Sequence, residues 1–355
     1  MTAEPARTRQ LWVGTYPVAG QGTPTGRGEG IWTVTLDVGS GTLSTPRQVA
    51  TTPAPSYLAH GLAEGVLYAV NEEAEGGLTA FVEDDEALRQ IGRAPTGGEN
   101  PCHLLIHRDS RTALVANYSS GSFGMVPLDP DGRPDGQRRQ LCTFSGSGPD
   151  ASRQATSHAH YVLGTPDPAT VLVVDLGADC VRRLRIDPGG RLEDRGIAVK
   201  LPPGTGPRHA ALSEDRRRLY VIGELDGRVH TVAWDAPSAS GVVVDSVPVI
   251  AAGPRSTDLA HVVRVPTGLV VGCRGAGVLA VHGFTADGLP RPDRVLPLPG
   301  AWPRHHAFVD GWLVVAQQTE GGVITMDLAG TTRGTAQIPS PACILPDLRP
   351  SSTKE

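Results

Sequence analysis

The sequence predicts an all-β chain closed as a seven-bladed β-propeller. Each blade is expected to hold four antiparallel strands, with a C-terminal strand joining the N-terminal blade to close the ring. Three observations carry this expectation: a short motif recurs six times, further β-patterned runs follow each copy, and the two chain ends hold complementary parts of one more unit. The composition agrees, because 44 Gly and 31 Pro among 355 residues suit short strands and tight turns rather than helices.

The motif copies are PSYLAHG from Pro55, PCHLLIH from Pro101, HAHYVLG from His158, PRHAALS from Pro207, LAHVVRV from Leu259 and PRHHAFV from Pro303. Their third column reads Tyr57, His103, His160, His209, His261 and His305, so five of the eleven histidines share one position. The steps between them are 46, 57, 49, 52 and 44 residues, a period that marks propeller blades.

Each copy leads into a second strand (VLYAVNE, ALVANYS, VLVVDLG, LYVIGEL, LVVGCRG, LVVAQQT) and then a third, such as LTAFVED or RVHTVAW. A weaker fourth run closes most units, as in EDRGIAVKL from Glu193. Alternation and β-branched residues support strands, and no long run of helical period competes. The N-terminal part supplies LWVGTY, GIWTVTLD and GTLSTPRQVA without an innermost strand, and PSPACILPD near the other end supplies one without partners. Joining them makes the seventh blade and removes two exposed sheet edges. The chain is therefore read as one domain over 1–355, with disordered tails over about 1–9 and 349–355. The single Trp234–Asp235 pair does not recur, which argues against WD40 repeats, and the Gly pairs lack kelch spacing.

Several function classes are disfavoured. A net charge of −5 with mixed signs argues against nucleic acid or an anionic membrane as partner. No apolar window reaches the length of a membrane span, and MTAEPARTRQ offers no apolar signal region. Cys102, Cys142, Cys180, Cys273 and Cys343 are odd in number and far apart, which reads as reduced thiols in a cytoplasmic protein. A closed propeller is expected to be a monomer.

In a blade the innermost strand starts at the face where the second strand ends. The motif heads and the second-strand ends Glu72, Tyr118, Leu176, Glu224, Arg274 and Gln318 should therefore meet at one channel mouth, preceded by residues such as Asp175. Histidine, arginine and carboxylate together suit a polar substrate, supplying proton transfer and anion clamps. A histidine repeated in every blade can instead bond a neighbouring blade's backbone, and for His103, His209, His261 and His305 taken singly that structural reading is favoured. Residues that break the repeat are the stronger candidates: Arg208, Arg304, Glu224, Arg274 and the long loop before the third motif copy.

That loop, SGSGPDASRQATSHAH (145–160), together with PPGTGPRHAALS, LYVIGELDGRV, TGGENPCHLLI and ALVANYSSGS, resembles the lactonase family of seven-bladed propellers. The family includes the propeller type of 6-phosphogluconolactonase and the fungal carboxymuconate-cyclising enzyme. The resemblance implies chemistry without metal or cofactor on an anionic lactone or its open-chain acid. The positions matching the family runs are His160, Arg208, Glu224 and Arg274. Arg208 and Arg274 would clamp an anion and steady an oxyanion, while His160 or Glu224 would move the proton. Arg153 and Gln154 would touch substrate or form a partial lid; Glu72, Tyr118, Asp175, His103, His209, His261 and Arg304 complete the expected substrate-binding set.

Some positions depart from the family pattern. Gly223 and Cys273 stand where Asn is usual, Asp258-Leu259-Ala260-His261 replaces an Ala-Glu-Ile-His run, and His306 follows His305 where Asp-Phe is usual. The polar loop QGTPTGRGEG (21–30) is read as solvated linker or an extension toward the mouth. Alternatives to hydrolysis are a cyclase or eliminase of a specialised pathway, a divalent metal held by channel histidines from separate blades, and a non-catalytic propeller scaffold.

Overall fold

The computed structural model describes residues 7–16, 28–251, 258–319, 322–347, 349 and 352–353. Their strands form seven antiparallel sheets: six are meanders of four strands, and the closing one has four strands in order with a short fifth at its side. Numbered in chain order, the innermost strands of blades 2 to 7 are Leu58–His60, Pro101–His107, Ala159–Gly164, Pro207–Leu212, Leu259–Val265 and Pro303–Val309. Blade 1 takes its innermost strand, Pro341–Pro346, from the far end of the sequence and pairs it with Arg7–Thr15. The ring closes as expected. The only helical element among the described residues is a 3-10 turn at Gly136–Arg138, and none is long and apolar enough to cross a membrane.

The closing blade extends further than the sequence suggests, which corrects the expected tails. Arg7–Arg9 are already in a strand, Ser352–Thr353 pair with Arg7 and Thr8, and Arg349 bridges Asp347 (2.6 Å) and Glu83 of blade 2 (2.9 Å). Most of the polar loop over 21–30 lies outside the described residues.

The apolar core is divided into seven wedges, one between each pair of neighbouring blades. Val66, Tyr68, Leu104 and Val115 pack blade 2 on blade 3, for example, and Leu11, Val13, Val314 and Ile344 pack blade 7 on blade 1. Second strands such as Thr112–Asn117 and Thr170–Asp175 are buried along their whole length, which is why they read as continuous apolar runs. Outermost strands such as Leu192–Lys200 are largely exposed and carry the charges.

One local feature positions the site. Just before the innermost strand, the chain turns through left-handed φ at Ala54 (44°), Asn100 (50°), Gly206 (54°), Asp258 (47°), Trp302 (62°) and Ser340 (43°). Only one of the six is glycine, and each of the others holds a conformation that costs of order 1 kcal/mol. The carbonyl of this residue accepts the N–H at the end of the second strand: Glu72, Tyr118, Glu224, Arg274, Gln318 and Tyr16 donate over 2.8–3.2 Å. A bulge follows. In blade 3, Pro101 pairs with Asn117 and His103 with Ala116, leaving Cys102 as the extra residue. Blades 4 to 7 repeat the slip. A bulge re-aims side chains, so two consecutive residues of each innermost strand face the channel.

Deleting 341–355 should abolish the single cooperative thermal transition, because it opens the Arg7–Thr15 edge and one wall of the channel. Scanning calorimetry of the truncated chain checks this, and an unchanged melt would contradict it.

Candidate active site

The residue that directly follows each bulge residue forms a floor across the channel. Tyr57, His103, Tyr161, His209, His261 and His305 stand in a ring, with neighbouring ring centroids separated in turn by 4.1, 4.1, 4.4, 5.1 and 4.0 Å, and 5.8 Å back to Tyr57. Cys343 holds the equivalent place in blade 1. The sequence alignment put His160 in this column; the bulge shifts the register by one, so that Tyr161 occupies the floor and His160 rises to the layer above.

Two of the floor histidines act as structural acceptors. His103 Nδ1 accepts the Val162 N–H at 3.2 Å, and His305 Nδ1 accepts that of Ile344 at 3.3 Å, each from the next blade's innermost strand. Burial, reinforced by Arg208, pushes His103 down to about 3. Burial also holds His209, His261 and His305 well below the usual imidazole range, aided by Arg208, His305 and His306 respectively. His306, with Nε2 3.0 Å from the Val270 carbonyl, lies behind the ring and is pushed by burial to about 4.

Above the floor a narrow pocket opens at the channel mouth, its enclosed space about 20 Å³, room for about one water; it is lined by Arg153, His160, Arg208, Glu224, Arg274 and Arg304, together with Glu72, Tyr118, Tyr16 and Cys102. It has two poles. At one, three guanidiniums surround Glu224: Arg153 Nη2 donates to Oε1 at 2.5 Å, while Arg208 Nε (2.8 Å) and Arg274 Nη2 (2.9 Å) lie in ion-pair contact with Oε2. Burial alone would raise this carboxyl, but Arg274, Arg208 and Arg153 together hold it at about 2. It is a fixed anion in this arrangement, ill-suited to the proton transfer expected of it. Arg208 is tied further to the Ala260 carbonyl, and Arg274 Nε donates to the Asp258 carbonyl at 2.9 Å. Burial and then Arg274 push Arg208 down to about 9, so it stays cationic at neutral pH.

At the other pole Arg304 lies 4.0 Å over the Tyr16 ring and 3.8 Å from Glu72 Oε2, and the Tyr16 hydroxyl donates to Glu72 Oε1 at 3.3 Å. His160 stands at the pocket edge with Nδ1 unpartnered. Burial, then Arg208, Arg304 and Arg274, hold it well below the usual imidazole range, so it is neutral. Tyr118 stacks on His158 (4.5 Å) and accepts a hydrogen bond from Arg153 Nη2 at 3.4 Å.

Other expected contacts turn away from the pocket. Asp175 is buried against Arg182 (2.7 Å) and accepts from Ser157 Oγ (2.5 Å) and the His158 N–H (2.9 Å). Gln154 donates to the Leu176 carbonyl (2.9 Å) and to Asp179 Oδ1 (2.7 Å), whose carboxylate also accepts from the Gly204 and Gly206 N–H groups. Both lie outside the pocket lining and pin the loop that carries Arg153 and the strand that carries Arg208. His103, His209 and His261 likewise belong to the floor. The structure adds Tyr16 and Cys102 to the lining. Tyr16 ends the second strand of blade 1, the place held by Glu72, Glu224 and Arg274 in theirs, so its position in LWVGTY was the available signal. Among the described residues no three His, Cys, Asp or Glu are grouped to hold a metal ion.

Fold and site together define a propeller enzyme with a guanidinium-lined anion pocket at one channel mouth. The profile of the seven-bladed β-propeller lactonases matches residues 10–345, and the chain belongs to that family. A curated relative, the 6-phosphogluconolactonase of Bacillus subtilis, is 27% identical over 94% of this chain and 97% of its own length. Among solved structures, the Pseudomonas aeruginosa periplasmic gluconolactonase superposes with a TM-score of 0.85 at 26% identity, covering 98% of this chain and all of that one (100%). A Lactobacillus plantarum protein gives the same TM-score, 0.85, at 26% identity over 96% of this chain and 99% of its own.

Stability should fall as the medium is acidified below pH ~6.5, where unfolded imidazoles take up protons. His103, His160, His209, His261, His282, His305 and His306 all have depressed folded values. Their contribution is present above the ordinary histidine range and lost below it, at ~1.4 kcal/mol per pH unit for each imidazole. Below about pH 4.5 Glu224 adds a further loss, which reaches ~3 kcal/mol only near its folded value of about 2 and so falls mostly below pH 4. Urea unfolding between pH 8 and 4 reads this slope; a flat profile contradicts it. In the same assay Asp175→Asn should cost about 3–5 kcal/mol, because it leaves Arg182 buried without a counter-charge.

Proposed function

We propose that this chain hydrolyses the lactone of a small anionic substrate, of the sugar-acid class that includes 6-phosphogluconolactone, without a metal ion. The observation that carries the reading is the charge of the pocket. Four guanidiniums (Arg153, Arg208, Arg274 and Arg304) face two carboxylates, Glu72 and Glu224, leaving a cationic excess in a nearly dry site where charge acts strongly. An anionic group and a developing oxyanion together match that excess. The names carried by the Bacillus subtilis relative and the Pseudomonas aeruginosa structure, both lactonases of gluconate chemistry, support the same class.

In this reading Glu224 keeps three guanidinium planes aimed at the pocket before substrate arrives, so little reorganisation is needed as negative charge grows on the carbonyl oxygen. His160 stays neutral and presents Nδ1 as an acceptor that can orient a water. Arg153, carried by the anchored loop, closes over the substrate from the outside. Five cysteines, none of them in a disulfide among the described residues, support a reducing compartment; the periplasmic setting named for the Pseudomonas aeruginosa protein is the competing placement.

The test is pH-stat hydrolysis of fresh 6-phosphogluconolactone and glucono-δ-lactone with EDTA present. Turnover by the wild type is expected, with kcat/KM reduced at least about 10²-fold in Arg208→Ala and in Arg274→Ala. A folded wild type no faster than spontaneous hydrolysis on either lactone overturns the reading.

A further inference from the structure

The pocket holds two buried carboxylates in opposite states. Both oxygens of Glu224 are occupied by guanidiniums. Glu72, at the end of the second strand of blade 2, is 8% exposed, yet its Oε2 has no hydrogen-bond partner among the described residues. The cation nearest to it among those residues, Arg304 Nη2, stands off at 3.8 Å, beyond hydrogen-bonding distance. Arg304 is itself held by the Tyr16 ring and by Gln318 Oε1 at 3.4 Å. Only Oε1 of Glu72 is engaged, by the Tyr16 hydroxyl at 3.3 Å. An acceptor left unpaired in a buried polar pocket is costly and marks a place where a ligand or a water completes the arrangement.

We infer that Glu72 is the acid–base group of this pocket, taking the proton of the attacking water and returning it to the departing ring oxygen. The inference rests on the lactonase reading. In the first step the water oxygen bonds to the lactone carbonyl carbon, one water proton passes to Glu72 Oε2, and the carbonyl electron pair moves onto an oxyanion faced by the guanidiniums. In the second the oxyanion re-forms the carbonyl, the ring C–O bond breaks, and the proton on Glu72 passes to the departing oxygen. The product is the open hydroxy acid, and Glu72 is again a carboxylate.

The surroundings suit this cycle. Glu72 is faced by Tyr16 from blade 1, Cys102 from blade 3, Arg208 from blade 5 and Arg304 from blade 7, and by the Ser56 hydroxyl of its own blade. Burial raises its proton affinity above that of an ordinary carboxylate, although Arg304, then Ser56, Tyr16 and Arg208, oppose the rise. A base works best when its proton affinity approaches the working pH, and two carboxylates pushed apart by their settings mark separate roles. His160 is a poorer proton acceptor, because an imidazolium there would be repelled by Arg208, Arg304 and Arg274.

The experiment compares wild type, Glu72→Gln and Glu72→Asp on the lactone turned over fastest, as kcat, KM and kcat/KM against pH, with circular dichroism as the fold check. Glu72→Gln should lose at least about 10²-fold in kcat with KM changed less than about threefold, and the acid limb of wild-type kcat/KM should vanish from its residual activity. Glu72→Asp should keep the limb at a reduced kcat. If Glu72→Gln does not fold, Glu72→Asp decides: full kcat with an unshifted acid limb overturns the assignment. A folded Glu72→Gln that keeps near-wild-type kcat and the acid limb overturns it while the lactonase reading stands. A wild type inactive on every lactone removes that reading, and the role of Glu72 with it.

Discussion

The bulge at the head of each innermost strand is the constraint on which the site depends. A regular strand sends consecutive side chains to opposite faces, so it could place either the floor residue or the pocket residue in the channel, not both. One extra residue per blade places both there: His103 below Cys102, Tyr161 below His160, His209 below Arg208, His305 below Arg304. The left-handed residue before the bulge then fixes the end of the second strand through its carbonyl, which brings Glu72, Glu224 and Arg274 level with the same layer. Backbone geometry repeated around the ring thus builds a two-storey channel, and side-chain identity decides what each storey does.

The lower storey is uncharged and the upper is charged, and each needs the other. Three buried guanidiniums and the partly exposed one of Arg153 are expensive to desolvate, and a buried pair seldom returns that cost in full. Glu224 offsets it for three of them. The seven apolar wedges between blades lie outside the channel and supply the stability that lets the mouth keep its charges. A floor of neutral imidazoles and phenols adds no cation to compete with a bound anion, and its packed rings leave water little room beneath the pocket.

Most of the fold was legible because each blade repeats the same pattern of short apolar strands. Buried second strands such as VLVVD read as unbroken apolar runs, and the closing strand could be placed because the N-terminal blade lacked one. The site was legible only in part. Aligning the motif copies on histidine put His160 one place off, since a bulge residue leaves no mark in composition. Tyr16 was missed because its innermost partner strand comes from the other end of the sequence. Asp175 precedes the pocket position in its blade, as Asn71 and Gln317 do in theirs. All three side chains turn back to bond neighbouring segments: Asn71 to the Pro53 carbonyl (2.6 Å), Gln317 to the Gly300 N–H (2.7 Å), Asp175 to the loop before its own blade. Polarity marked these residues as candidates, but direction along the strand decided their role.

The same distinction separates Glu72 from Glu224. They occupy equivalent places in blades 2 and 5, with the same backbone hydrogen bond, and both are buried. What differs is the set of side chains around them. Arg208 rises from the innermost strand beside Glu224, whereas Ser56 occupies the matching place beside Glu72. Arg153 and Arg274 complete the shell of Glu224 from the loop before blade 4 and from blade 6, while only Arg304 approaches Glu72. One carboxylate is thereby locked as a counter-ion and the other keeps an open lone pair. A ring of equivalent backbones becomes an asymmetric pocket through the substitution of a few side chains, and that asymmetry allows one end of a small substrate to be gripped while the other meets a proton carrier.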